Sequence, residues 1–274
     1  MFLVSFIVLL PIFYLITGRA LPVEVADQIA KLLPGDAQPT EQYLAISFIA
    51  GVFIGATPIH VLVRYLSTVV HELGHAFTAG ILGGRPKNIT ISPSSSGLAT
   101  YQPPISWGRG RASIVSLAGY PAPAIASLAA VRALQHGLTL AWFFFATATL
   151  AVSIVLLIRN LWGFFWTALV VGSAYFASQE LDIRYLGIIV SSVAGYLAVE
   201  SIRHSSQQLS IINRIQGSGC DAERVAHWWG IPARLVGTVH MIFSLSVSVY
   251  AGYLAISPYW DEIFAWVKTY TKSS

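Results

Sequence analysis

Apolar stretches of near-spanning length recur from one end of the chain to the other, parted by short polar connections. They fall at about residues 1–18, 43–56, 58–82, 112–132, 138–158, 161–178, 185–201 and 235–256. A hydrocarbon layer about 30 Å thick is crossed by roughly 20 helical residues, so each stretch is a candidate span. The pattern predicts an all-α polytopic membrane protein with about six to eight transmembrane helices. The opening "MFLVSFIVLLPIFYLITGRALP" has no basic segment before its apolar run and no small-x-small cleavage site after it, so it reads as a retained first span.

Residues 43–82 are almost continuously apolar, and as one helix they would be about 60 Å long, twice the hydrocarbon thickness. The chain must break inside them. "GATPIH" supplies the break: Thr57 is expected to cap a new helix and Pro58 to occupy its first turn, where the missing N–H costs nothing. That helix is expected over about 58–82, ended by Gly83 and Gly84. Residues 88–92 and 98–101 are rich in β-branched residues and flank the turn-forming "SPSSSG", which predicts a short β-hairpin at the membrane surface, over about 88–101. "AGYPAPAIA" (118–126) holds two prolines among small residues, so its arm should be bent or closely packed. Residues 203–234 form the longest polar stretch of the second half.

Composition agrees with this pattern. Of 274 residues, 55% are hydrophobic and 10% charged, against roughly a quarter charged in a soluble domain, which leaves room for one integral membrane domain over 1–274. The net charge of +4 sets orientation in a membrane and does not point to nucleic acid. If every arm spans, Arg85, Lys87, Arg109, Arg111, Arg159 and the arginines from Arg203 to Arg234 share the hairpin's side with Arg19 and Lys31. Arg64, Arg132, Arg184, Lys268 and Lys272 lie on the other. The positive-inside rule then puts the hairpin in the cytoplasm and both termini outside. Cys220 is the lone cysteine, so any metal must be held by His, Asp, Glu or Asn.

Chemistry enters at "STVVHELGHAFTAGILGG" (67–84). Four residues apart on a helix, His71 and His75 project from one face and can present two imidazoles to one zinc ion, with Glu72 beside them to act on water. Zinc acidifies its water and polarises a scissile carbonyl, while a glutamate takes the proton and passes it to the leaving amine. A carboxylate inside a spanning helix is costly and is by default functional.

"VVHELGHAFTAGILGGRPKNITISPSSSGLATY" followed by "SLAGYPAP", "LLIRNLWG" and "GCDAERVAHWWGIPA" resembles the site-2 protease family of intramembrane zinc metalloproteases, in particular its small bacterial branch. The resemblance covers about 61–249. It implies an intramembrane zinc endopeptidase hydrolysing membrane-embedded proteins or peptides, with one Zn2+ on His71 and His75 and Glu72 as the base on the zinc-bound water. It also implies a bacterial plasma membrane, and the positive-inside topology has the site open towards the cytoplasm. Larger members supply a third ligand from an Asp after an Asn-Leu-x-Pro segment, whereas Asn160-Leu161 is followed here by "WGFFWTALVV", with no acid. Asp221, Glu200, Asp182, His204 and Asn160 compete for the place. A metal helix that runs inward favours ligands from the hairpin's side, which demotes Asp182, and Asp221 is the choice. The missing acid motif also supports an alternative, a catalytically inactive zinc-binding membrane protein that binds or regulates partners. The hairpin is expected to hold an unwound substrate segment by strand addition, so that Ile91→Pro slows cleavage and spares zinc content.

Overall fold

The computed structural model describes residues 41–260 apart from 216, and the arm expected at 1–18 lies outside them. The described residues are mostly helical, with one two-stranded antiparallel sheet among them. In order it forms α1 (Glu41–Ala56), α2 (His60–Ile81), β1 (Arg85–Ile91), β2 (Gly97–Gln102), α3 (Arg109–Leu117), α4 (Ala122–Gln135), α5 (Thr139–Leu156), α6 (Leu161–Glu180), α7 (Ile183–Arg214), α8 (Asp221–Trp229) and α9 (Ala233–Ile256).

Among these, α5, α6, α7 and α9 are long and apolar enough to cross a membrane, and the pair α3–α4, bent by 61°, adds a fifth span if taken as one. The protein is therefore an integral membrane protein with fewer clear spans than the six to eight expected. Two reasons lie in the described residues. α1 has only 16 residues, and α2, although 22 residues long, carries Arg64, His71, Glu72 and His75 and is too polar to qualify.

α7 is the central element, packed against α1, α4 and α9. Its contact with α1 is backbone on backbone: a Cβ on Gly51 would strike the Ser192 carbonyl, and one on Gly195 would strike that of Phe48. Small residues allow such approach in a bilayer, where dispersion rather than water exclusion holds helices together. α7 also runs on to Arg214, so the first third or so of the expected polar stretch 203–234 continues this helix, with Ser205 and Gln208 fully buried.

The break between α1 and α2 falls at residues 57–59 as expected, but by a different device. Thr57 does not cap α2; its hydroxyl donates back to the Ile54 carbonyl at 3.2 Å, and Ile59 holds the cap position without a side-chain hydrogen bond. At the far end Gly83 takes the left-handed conformation, φ 87°, which closes the helix without a Cβ clash.

The hairpin does not lie off the end of α2 but folds back along it. Tyr65 Oη donates to the Pro93 carbonyl at 2.6 Å and Thr68 Oγ1 to that of Ser95 at 3.0 Å, so the tip reaches a full turn beyond the metal motif. Ile89 and Ile91, both 0% exposed, pack on the Tyr65, Val69, Leu73 and Ala76 stripe of α2. The other edge of β1 is taken. Ile89 N donates to Leu157 O at 2.8 Å, Arg159 N to Ile89 O at 3.1 Å, and the Asn160 amide pairs with both Ile91 N and Ile91 O. Arg159 meanwhile donates to the carbonyls of Val155, Leu156 and Ile158 at the end of α5.

Candidate metal centre

α2 presents two adjacent stripes. Tyr65, Val69, Leu73 and Ala76 hold the hairpin, and Thr68, His71, Glu72 and His75 turn towards a cavity of about 310 Å3. β2, the α3–α4 corner, α7 and α8 complete its walls.

The imidazoles meet there, with His71 Nε2 and His75 Nε2 3.2 Å apart. His75 Nδ1 lies 2.7 Å from the Val115 carbonyl of α3, which fixes that nitrogen as the N–H and leaves Nε2 with a free lone pair. Asp221 Oδ2 completes the group, 3.2 Å from His75 Nε2 and 3.7 Å from His71 Nε2. Ions bound tetrahedrally at zinc–ligand lengths of 2.0–2.1 Å have ligands about 3.3 Å from one another, so the three atoms are spaced as three corners of such a site. A Cβ on Gly119, in the α3–α4 corner, would sit 2.6 Å from His71 Nε2 and closer still to His75 Nε2. The backbone therefore approaches the imidazole tips as nearly as a residue without a side chain permits.

Asp221 is free for this because another residue ties down the start of α8. The Glu223 carboxylate reaches back to Gly219 N at 2.7 Å and to Ser218 Oγ at 2.9 Å, in the manner of a capping box. Asp221 is thus the first helical residue, not the cap. Burial works to raise its pKa, but the imidazoles of His71 and His75 outweigh that and hold it well below the usual carboxylate range. α8 is moored to α3: Trp229 Nε1 donates to Ser113 Oγ at 2.8 Å, and the Arg109 guanidinium stacks 4.6 Å from the Trp229 ring. Trp229 thus belongs to this joint.

Glu72, 5% exposed, points between α2 and the inner face of β2. Gly97 makes room for it, since a Cβ there would lie 2.6 Å from Glu72 Cγ and closer still to Oε1.

The four other residues weighed as ligands are elsewhere engaged. Asn160 braces β1, and Asp182 pairs with Arg184 at 3.6 Å at the opposite end of α7. Glu200, 1% exposed, lies 3.0 Å from Arg203 Nε and 3.6 Å from His204 Nε2, and accepts from Ser67 Oγ at 3.3 Å. His204 reaches the cavity wall without joining the ligand group. Sequence reasoning missed Gly97, Gly119 and Tyr120 as site residues, although each stands in a quoted family-like segment, "SPSSSG" or "SLAGYPAP".

A sequence model of the Peptidase M50B-like family, a site-2 protease family, matches residues 43–252, well over half of the chain. The protein belongs to the M50B-like peptidase family. No curated protein and no solved structure matches this M50B-like chain. The family match spans every element that lines the cavity, from α2 to α8.

Proposed function

We propose that this M50B-like peptidase is a zinc metalloendopeptidase that cleaves peptide bonds of membrane-embedded substrates, with His71, His75 and Asp221 as metal ligands and Glu72 as catalytic base. The observation that carries the reading is the His71–His75–Asp221 triangle beside Glu72 in an open cavity. A bound zinc ion would supply a Lewis acid for the scissile carbonyl and acidify water. Glu72 takes the proton as water adds to the carbonyl carbon and delivers it to the departing amine. Of the described basic residues, those assigned to the hairpin's side, Arg85, Lys87, Arg109 and Arg111 with Arg159, Arg203, Arg214, Arg224 and Arg234, outnumber Arg64, Arg132 and Arg184 on the other, and on the positive-inside rule the cavity opens to the cytoplasm. The alternative, an inactive zinc-binding protein, drew on the lack of a third-ligand motif, and Asp221 now offers that ligand.

The decisive experiment is Glu72→Gln in the purified, zinc-loaded protein, assayed on a vesicle-embedded library of single-span peptides. Zinc content should stay at one per chain while turnover falls by roughly 100-fold or more. A wild type without zinc, or a Glu72→Gln variant that cleaves as the wild type does, sinks the protease reading.

Strand addition needs a free edge, and β2 has it. Ile89 and Ile91 direct both N–H and C=O away from β2, so the residues opposite them, Ala99 and Gly97, occupy non-hydrogen-bonded positions. Their own N–H and C=O groups therefore point outward, on the strand that lines the cavity, with the Ala99 N–H directed to the Glu72 carboxylate. The Ile91→Pro test is misplaced, because Ile91 N is held by Asn160 and its side chain is core. Ala99→Pro is the apt substitution, removing an outward donor from an edge strand, where proline is tolerated; the same N–H bears on the Glu72 carboxylate, so kcat falls as well, and the strand's own part is read in KM. KM should rise at least about tenfold with zinc content and melting temperature little changed. An unchanged KM means that substrate is held elsewhere.

A further inference from the structure

The phenol of Tyr120 is neither ligand nor base in the proposed reaction, yet it stands at the centre of the site. Tyr120 stands at the α3–α4 corner next to Gly119 and lines the cavity with His71, Glu72, His75 and Asp221. Its ring is fixed from two sides. It meets the His71 ring edge-on, at 4.7 Å between centroids and 89°, and stacks on the His240 ring at 5.1 Å and 24°. His240 is itself locked, 2% exposed with Nδ1 2.8 Å from Gln208 Oε1. Such a ring has little rotamer freedom, so its hydroxyl is a pre-oriented group.

Buried tyrosines normally give their hydroxyl a protein partner. Tyr65 does so, donating to Pro93. The Tyr196 hydroxyl is sealed inside the bundle beside Ser67, whereas that of Tyr120 is not among the sealed atoms, and no group of the described residues accepts from it. An unspent donor, rigidly held beside the imidazole of a proposed metal ligand and open to the cavity, is what an acyl-transfer site aims at a developing oxyanion.

We infer that Tyr120 is a further catalytic residue: its hydroxyl donates a hydrogen bond to the scissile carbonyl oxygen as water adds to the carbon. This rests on the protease reading. In that step the water oxygen bonds to the carbonyl carbon, the carbonyl π pair moves onto its oxygen, and the water's proton goes to Glu72. When the C–N bond breaks, that proton passes to the amine and the π pair re-forms. Tyr120 keeps its own proton throughout and serves only as donor, stronger towards the charged oxygen than towards the neutral carbonyl, so it should act on kcat rather than KM. Glu72 faces β2 and Tyr120 packs on His71 at the α3–α4 corner, so base and donor come from different walls of the cavity.

Tyr120→Phe removes the hydroxyl and leaves the ring contacts with His71 and His240. In the full-length, zinc-loaded protein, kcat on the vesicle-embedded peptide library should fall by roughly 100-fold, with KM within about twofold and zinc content unchanged. A readout independent of turnover is the affinity for a phosphinic pseudopeptide, whose tetrahedral anion mimics the oxyanion. It should weaken about tenfold or more, while a simple hydroxamate chelator binds as before. Equal kcat and equal phosphinate affinity in Tyr120→Phe overturn this inference and leave the protease reading standing. Loss of zinc from the variant overturns it too, since the hydroxyl would then serve the ligands. A zinc-loaded wild type that neither cleaves the library nor binds the phosphinate overturns both.

Discussion

Gly119→Ala is expected to weaken zinc binding by about 100-fold without removing any ligand, the upper end of what disturbing a ligand's support costs. The reason is steric. The new methyl group would fall 2.6 Å from His71 Nε2 and nearer to His75 Nε2, on the atoms that face Asp221. Neither ring can retreat easily. His75 is anchored by Val115 O at 2.7 Å, and His71 is hemmed in by the His75 ring at 4.9 Å and the Tyr120 ring at 4.7 Å. The corner that carries Gly119 is equally confined, because Gly74 of α2 packs against Ala118 O, where a Cβ would lie 2.7 Å away. Zinc occupancy measured against a graded series of competing chelator is the check, with wild type and Gly119→Ala side by side. Equal occupancy across the series would mean that the two imidazoles and Asp221 do not enclose an ion at this place.

The same residues show what a sequence does and does not disclose. His71, Glu72 and His75 were readable because their chemistry depends on helical spacing, which is local. So were the hairpin, whose strands at Arg85–Ile91 and Gly97–Gln102 bracket the expected 88–92 and 98–101, and the break after Ala56. Asp221 was harder to single out, since topology demoted only Asp182 among the five candidates, and although Asp221 stands in the family-like "GCDAERVAHWWGIPA", it lies 146 positions beyond His75 (221 − 75), with no helical spacing to tie the two. What frees it, Glu223 closing the first turn of α8, is a matter of hydrogen-bond geometry.

Hydropathy misjudged elements that are apolar on one side only. The end of α7, "IRHSSQQLSIINR", reads as a polar connection, yet Ser205 and Gln208 face the bundle interior at 0% exposure, where polar groups find partners in place of lipid. α2 errs the other way, with Arg64, His71, Glu72 and His75 diluting the apolar signal of a helix that length alone would let span. The fold-back of the hairpin was not legible either. It depends on Tyr65 and Thr68 reaching the carbonyls of Pro93 and Ser95, long-range pairs with no periodic signature.

Gly97→Ala is the counterpart of Gly119→Ala, expected to spare zinc and lose turnover. On β2, Gly97 and Ala99 share the face turned to α2, opposite Ile91 and Ile89, so a side chain at 97 must point at the helix. It would meet the end of Glu72, a flexible side chain that can swing aside at little cost to the fold. Melting temperature should therefore move little, and His71, His75 and Asp221 stay in place with their zinc. The carboxylate, however, would be displaced by about an ångström or more, and a base misplaced by that much loses roughly 100-fold in rate. A double-mutant cycle separates this from general damage. Once Glu72→Gln has removed the base, adding Gly97→Ala should cost almost nothing further, because both substitutions act through one group. If the two losses multiply instead, Gly97 affects the reaction through something other than Glu72, such as the outward N–H and C=O that a substrate strand would use.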